Sequence, residues 1–158
     1  MPDQVLERRL WLPRPRPEVF ALVADPRNLE RLLPPWAAPV WLGPLPAGRA
    51  AGAVLDFRLR RPLPGRWRVM VREYDPPYRF VDVQLRGPFA RWEHRLRFLE
   101  GPAAAGGAGP PGTWIEDRLT YRPALGPLGG LLHALGGRRA LVRLFDHRDA
   151  RLRELLGG

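Results

Sequence analysis

The sequence predicts an α+β fold: a curved antiparallel sheet of about six to seven strands wrapped around a long C-terminal helix, with two short helices after strand 1. Three observations carry this. Residues 53–121 alternate apolar and polar side chains with period two, interrupted by turn signals. Residues 128–156 place apolar side chains at steps of three and four, the spacing of an amphipathic helix. Between a short apolar opening segment and the strands lie two helical stripes, each introduced by proline. A chain of 158 residues fits one domain, 1–158, with a core large enough to surround a modest cavity.

Leu10-Trp11-Leu12 reads as the first strand. Pro13, Pro15 and Pro17 follow at alternate positions, which no helix interior accepts, but Pro17 suits a first helical turn, where its missing N–H costs nothing. Val19, Phe20 and Val23 then share one helical face. Asp25-Pro26 repeats the start signal, an N-cap carboxylate before proline, and Leu29, Leu32 and Leu33 form a second stripe. Pro34-Pro35 leads stiffly out of that helix toward Trp36 and Trp41, as a lid or as core packing.

In the strands, Ala53, Leu55, Phe57 and Leu59 face one way, and Trp67, Val69 and Val71 another strand's inner side, with Glu73 ending that face at the rim. Residues 79–86 read two ways: Val81, Val83 and Leu85 inward, or, after a slip of one residue, Phe80, Asp82 and Gln84. Pairing residues 91–99 with 113–121 so that Glu93 meets Arg118 and Arg95 meets Glu116 gives two cross-strand charge pairs and sets Arg97 against Trp114. The opposite face of that hairpin carries Trp92, His94, Leu96 and Phe98 with Leu119, Asp117, Ile115 and Thr113. The segment Gly101–Gly112 reads as a loop. The closing helix runs through Gly136-Gly137, where a kink is expected because each glycine costs about 1 kcal/mol relative to alanine.

The opening strand with its two proline-started helices, together with Phe80-Val-Asp-Val-Gln84, Gly87-Pro-Phe89, Trp92-x-His94 and Asp117-Arg118-Leu119, resembles the START-like (SRPBCC) superfamily, which includes the birch-pollen allergen and bacterial polyketide cyclases. The resemblance spans nearly the whole chain. It implies a helix-grip fold with a cavity between sheet and long helix that holds lipids, sterols, polyketides or plant hormones. Carriers, receptors, cyclases and ribosome-associated proteins all share it, so the fold alone does not settle function.

Composition excludes several chemistries. The chain has neither cysteine nor serine, so disulfides, thiolate zinc sites and the usual hydrolase nucleophiles are absent. His94, His133 and His147 stand at no metal-ligand spacing, and neither metal nor cofactor is expected. No signal peptide opens the chain, and the longest uncharged run, 32–48, holds five prolines and cannot span a membrane; the expected location is cytoplasmic. The net charge of +10 comes entirely from arginine.

The leading functional expectation is binding of a hydrophobic small molecule, lipid, isoprenoid or polyketide-like. Its walls are expected from Phe57, Leu59, Trp67, Val69, Val71, Trp92, Leu96 and Leu119 of the sheet and Leu132, Leu135, Leu141 and Phe145 of the helix. Glycines 126, 129, 130, 136 and 137 leave little side-chain volume, so the cavity is expected under Leu128–Leu141, at roughly 300–1,000 Å³. Glu73, His94, Asp117 and Tyr121 are the candidate polar contacts. A second expectation is a cyclase or dehydratase in which Asp117 orients His94 for proton abstraction and Tyr121 donates to an enolate oxygen; equally, His94 and Asp117 satisfy each other as buried polar partners. A third is weak polyanion binding by Arg58, Arg60, Arg66, Arg68, Arg72, Arg91, Arg95, Arg97 and Arg118 on the polar faces of the strands, on RNA, ribosome or anionic membrane, set against a merely solvated outer face.

Overall fold

The computed structural model describes residues 2–157 apart from 47, 62–63, 105 and 108. In chain order the elements are β1 (Gln4–Leu12), α1 (Arg16–Ala24), α2 (Leu29–Leu32), β2 (Val40–Trp41), β3 (Val54–Leu59), β4 (Gly65–Asp75), β5 (Arg79–Arg86), β6 (Phe89–Pro102), β7 (Pro111–Pro123), α3 (Gly126–Leu132) and α4 (Arg138–Leu156). The strands form one antiparallel sheet in the order β1-β7-β6-β5-β4-β3-β2. A π-type turn, His133–Gly137, joins α3 to α4. The fold is the predicted α+β helix-grip arrangement.

The local signals act as expected. Pro17 occupies the first turn of α1, which buries Val19, Phe20, Val23 and Ala24. The Asp25 carboxylate accepts the Arg27 backbone N–H at 2.9 Å and caps the 3₁₀ turn, Pro26–Asn28, that leads into α2. Leu12, Phe20, Phe98, Ile115 and Leu152 pack at one end of the sheet, and Phe57, Trp67, Phe89, Leu119 and Leu141 at the other.

Four expectations need correction. The opening strand is nine residues long, since β1 extends back to Gln4 beside β7, and the two-residue β2 carries no sequence signal. The 101–112 loop is shorter than expected, because Gly101 pairs with Gly112 and Pro102 with Pro111. The β6–β7 register is displaced by two: Glu93 faces Thr120, Arg95 faces Arg118 and Arg97 faces Glu116. A shift of two keeps each side chain on its predicted face. The charge pairs misled because β1 competes for the same partners. Glu7 takes Arg118 at 2.6 Å, Arg9 pairs with Glu116 at 3.2 Å, and Arg9 rather than Arg97 lies 4.4 Å over the Trp114 ring.

The pairing of β4 with β5 shows why residues 79–86 were ambiguous. Val71 pairs with Asp82 and Glu73 with Val81, so Arg72 is an extra residue, a β-bulge. Beyond it the alternation reverses. Glu73 turns outward, and Tyr74 turns inward to lie 5.7 Å from Phe20. Phe80 and Asp82 consequently face inward, both buried, while Leu85, skipped in the pairing with β4, is exposed.

The helical stripe is also divided. α4 buries Leu141, Phe145, Leu152 and Leu156, but Leu128, Leu131, Leu132 and Leu135 of the preceding turns are each more than half exposed. Gly136 leaves helical geometry within the π-type turn, and one inserted residue rotates the phase of a helix by about 100°. The leucines before the turn therefore point away from the sheet that those after it cover. Leu152→Ala is expected to cost about 2–5 kcal/mol by urea unfolding, whereas Leu135→Ala should change stability by no more than about 0.5 kcal/mol. Large losses in both variants would mean that the stripe is one continuous core surface.

Candidate functional site

A cavity of about 200 Å³ lies between the concave face of β3–β6, the α1–α2 corner and the first half of α4. Its wall is almost wholly apolar. Trp67 packs edge-on against Trp92 at 5.1 Å and parallel to Phe57 at 6.3 Å, while Trp41 from β2 closes on Phe57 at 5.7 Å. Leu29, Leu32 and Leu33 reach it from the α2 side, and Leu141, Leu144 and Phe145 from α4.

Four polar side chains also line it: Arg49, Asp82, His94 and Arg148. Their bonding separates them into two groups. Arg148 forks onto Asp117, with Nη1 donating to Oδ1 at 2.8 Å and Nη2 to Oδ2 at 2.5 Å, and it also donates to Asp149. Asp149 in turn accepts from Arg8, which reaches Asp146 at 2.7 Å. Burial alone would raise the Asp117 pKa, but the charge and hydrogen bonds of Arg148 outweigh it and hold the carboxyl well below the usual carboxylate range. An ionised Asp117 only accepts, so His94 Nε2, 2.8 Å from Asp117 Oδ1, is the nitrogen that donates to it.

The second group behaves differently. Arg49 donates to Asp82 Oδ2 at 2.6 Å and to the Ala24 carbonyl at 2.7 Å, and its guanidinium lies over the Phe80 ring. Asp82 Oδ1 is buried with no hydrogen-bond partner. Burial pushes the Asp82 pKa up, against the opposing charges of Arg49 and His94. A carboxylate kept in an apolar cavity with half its acceptor capacity unused is costly to the folded protein, and a ligand donor would relieve that cost.

The structure brings many of the predicted residues to this wall: Phe57, Leu59, Trp67, Val69, Trp92, His94, Leu96, Leu141 and Phe145. Others lie elsewhere. Val71 and Leu119 are fully buried in packing, and Asp117 sits behind His94 under Arg148. Tyr121 lies off the wall with its hydroxyl 2.6 Å from His133 Nε2, so it does not face an enolate in this cavity. Glu73 is turned outward by the Arg72 bulge, and Leu132 and Leu135 are exposed by the π-type turn. The cavity therefore sits beside residues 141–148 rather than under Leu128–Leu141, and it is smaller than expected. Trp41 belongs to its wall, while Trp36 is exposed.

Arg49, Phe80, Asp82 and Arg148 are the main residues that the sequence reading did not select. Phe80 and Asp82 were one of its two alternatives, and only the unseen bulge decides between them. Arg148 falls within the amphipathic pattern of α4 at the spacing of Leu141, Phe145 and Leu152, a basic residue on an apolar face that signals a buried partner. Arg49 comes from an irregular segment, where no periodicity indicates direction. Among the described residues no three His, Asp or Glu side chains converge to hold a metal ion, and no helix is long and apolar enough to cross a membrane.

A sheet gripping a C-terminal helix around an apolar cavity with a few convergent polar groups defines a cavity-bearing helix-grip protein. The chain belongs to the family described as polyketide cyclase/dehydrase and lipid transport, which it matches over residues 12–145. No curated protein matches it in sequence. Similar solved structures include one from Thermus thermophilus, 22% identical with TM-score 0.59, covering 98% of this chain and 99% of that one. Another, from Arthrobacter aurescens, is 14% identical with TM-score 0.66 and covers 95% and 86%. Norcoclaurine synthase from Thalictrum flavum is 13% identical with TM-score 0.63 and covers 97% and 88%. At these identities the likeness is one of fold.

The two carboxylates are expected to respond oppositely to pH. Asp117, lowered in the folded state, contributes stability that is complete above its ordinary value of 3.8 and is lost as pH falls below it. Asp82, raised in the folded state, carries a penalty that is absent below 3.8 and grows as pH rises above it. Asp117→Asn should cost about 3–5 kcal/mol at neutral pH, because Arg148 is left buried without its counter-charge. Asp82→Asn should cost far less, and the gap between the variants should close toward acid pH in urea titrations. Equal losses in both at neutral pH would show that Asp82 is as well satisfied as Asp117.

Proposed function

We propose that this protein binds one compact hydrophobic small molecule in the cavity and holds a hydroxyl or ammonium group of that ligand on Asp82 Oδ1. The observation that carries this reading is a buried carboxylate on the wall of a largely apolar cavity, with one oxygen that has no hydrogen-bond partner. Family membership supports it, since lipid and polyketide ligands are hydrophobic. Volume narrows the class: an apolar cavity of about 150 Å³ accommodates benzene, so about 200 Å³ suits a molecule of one or two rings. The dopamine and hydroxybenzaldehyde bound in the norcoclaurine synthase structure are of that size. All 158 residues act in this reading as one binding domain, and the lack of cysteine fits a reducing compartment such as the cytoplasm.

A second reading, cyclase or dehydratase chemistry, is favoured by one arrangement. His94 presents Nδ1 with its other nitrogen fixed by Asp117, on the same wall as a carboxyl whose pKa is raised. His94 would take a proton from carbon beside a carbonyl, and protonated Asp82 would donate a hydrogen bond to the resulting enolate oxygen. Asp82 replaces Tyr121 in that role. Weak polyanion binding by the sheet exterior has a narrower basis: Arg66, Arg72, Arg91, Arg95, Arg97 and Arg118 are ion-paired, leaving Arg58, Arg60 and Arg68 without an ion pair among the described residues.

Trp41, Trp67 and Trp92 supply the readout, because a molecule in the cavity touches all three indoles. Tryptophan fluorescence titration should show 2-naphthol binding at least about tenfold more tightly than naphthalene, the gain from a hydrogen bond to a charged acceptor. Asp82→Asn should reduce that preference, and Leu141→Trp should block both ligands by filling the chamber. Absence of binding by either, with no small molecule extracted from the purified protein by organic solvent and seen by mass spectrometry, would overturn the binding reading. Equal affinities for the two ligands would overturn the role of Asp82.

A further inference from the structure

The exposed leucines of α3 and of the π-type turn after it have no part in the cavity. Leu128, Leu131, Leu132 and Leu135 stand at i, i+3, i+4 and i+7, between 54% and 73% exposed, and Leu125 just before them is 70% exposed. Scattered surface leucines need no explanation, but a contiguous stripe does. This helix is held by its other face: Gly129 is buried against the Ala124 carbonyl, where a Cβ would fall within 1.6 Å of the oxygen, and His133 meets the Tyr121 hydroxyl. The stripe is therefore presented outward by a docked helix.

Arginines follow directly. Arg138, Arg139 and Arg143 follow the stripe past the π-type turn and border a surface depression of about 440 Å³ with His133 and Val142. Among the described residues none of the three is ion-paired. The carboxylates of α4 are engaged elsewhere: Asp146 and Asp149 with Arg8, Asp149 also with Arg148, and Glu154 with Arg151. Among the described residues Arg138 reaches the Val5 carbonyl and the Tyr121 hydroxyl, each at 3.5 Å.

We propose that this face, the leucine stripe of α3 with Arg138, Arg139 and Arg143 beside it, docks on an anionic lipid bilayer, the leucines entering the acyl boundary and the guanidinium groups meeting the headgroup phosphates. An interfacial helix needs that combination: an apolar face to insert and cations placed where the anionic headgroups lie. The charges select the occupant. A second copy would bring the unpaired arginines of two chains, each with net charge +10, against one another. Single-stranded RNA would find arginines but no stacking aromatic, and it would leave the leucines in water.

The test is flotation of the full chain with phosphatidylcholine vesicles, with and without phosphatidylglycerol. Binding to the anionic vesicles only, weakening with added salt, is the expected result. Leu131→Glu with Leu135→Glu should abolish it. Arg139→Gln with Arg143→Gln should weaken it about 25-fold, about fivefold for each arginine near an anionic surface. All four positions are exposed, so an unchanged Tm and circular dichroism spectrum accompany the expected loss. A wild-type chain that stays off anionic vesicles overturns the proposal. So does binding that survives the leucine substitutions and is lost with Arg58→Glu and Arg68→Glu, which assigns it to the sheet exterior. Retention on RNA but not on vesicles, or a wild-type dimer that the leucine substitutions dissociate, also overturns it.

Discussion

The buried pair of Arg148 and Asp117 is the constraint on which the arrangement of this protein rests. A stripe of leucines against a sheet is tolerant of sliding, since apolar contacts are non-directional. A guanidinium forked onto a carboxylate is not, because two parallel hydrogen bonds are made in only one alignment. Arg148 therefore sets α4 over β7, and the continuation through Asp149, Arg8 and Asp146 ties the same helix to β1. Leu141, Leu144 and Phe145 of the helix so held, the α1–α2 corner, and Trp41 and Arg49 from the segment that follows it face the concave side of β3–β6. The cavity lies between them.

The two buried acids show how one apolar environment gives two outcomes. Asp117 is surrounded by Arg148 and His94 and has both oxygens occupied. Asp82 has one arginine on one oxygen and nothing on the other. The first arrangement fixes geometry, including the ring of His94; the second leaves one carboxylate oxygen without a hydrogen bond on a residue of the cavity wall. The polar side chains on the cavity wall are Arg49, Asp82, His94 and Arg148, and they divide between these two arrangements.

Much of this was legible from residue order, because period and parity survive errors of register. Phe57, Trp67, Trp92, His94 and Leu96 lie on the inner face however the β6–β7 hairpin is shifted by an even number of residues. Single-residue insertions are invisible to the same logic. The Arg72 bulge turned Glu73 away and brought Asp82 in, and the π-type turn at Gly136 separated Leu132 and Leu135 from the sheet. Cross-strand charge pairing was a poor guide for another reason. Arginine is so abundant that Glu93 and Glu116 each have several reachable partners, while β1 brings Arg9 to Glu116 and takes Arg118 onto Glu7.

The Arg72 bulge also bears on how the length of this strand can vary. Arg72 and Glu73 both point outward between the inward Val71 and Tyr74, so the chain could lose the residue at position 72 and still present Val71, Tyr74, Phe80 and Asp82 to the interior. Loss of one residue at 70 would instead turn the preceding half of β4 inside out, placing Arg66 and Arg68 where Trp67 and Val69 now stand. Within an eleven-residue strand, then, a deletion can be absorbed at one point and would invert the chamber wall two residues away.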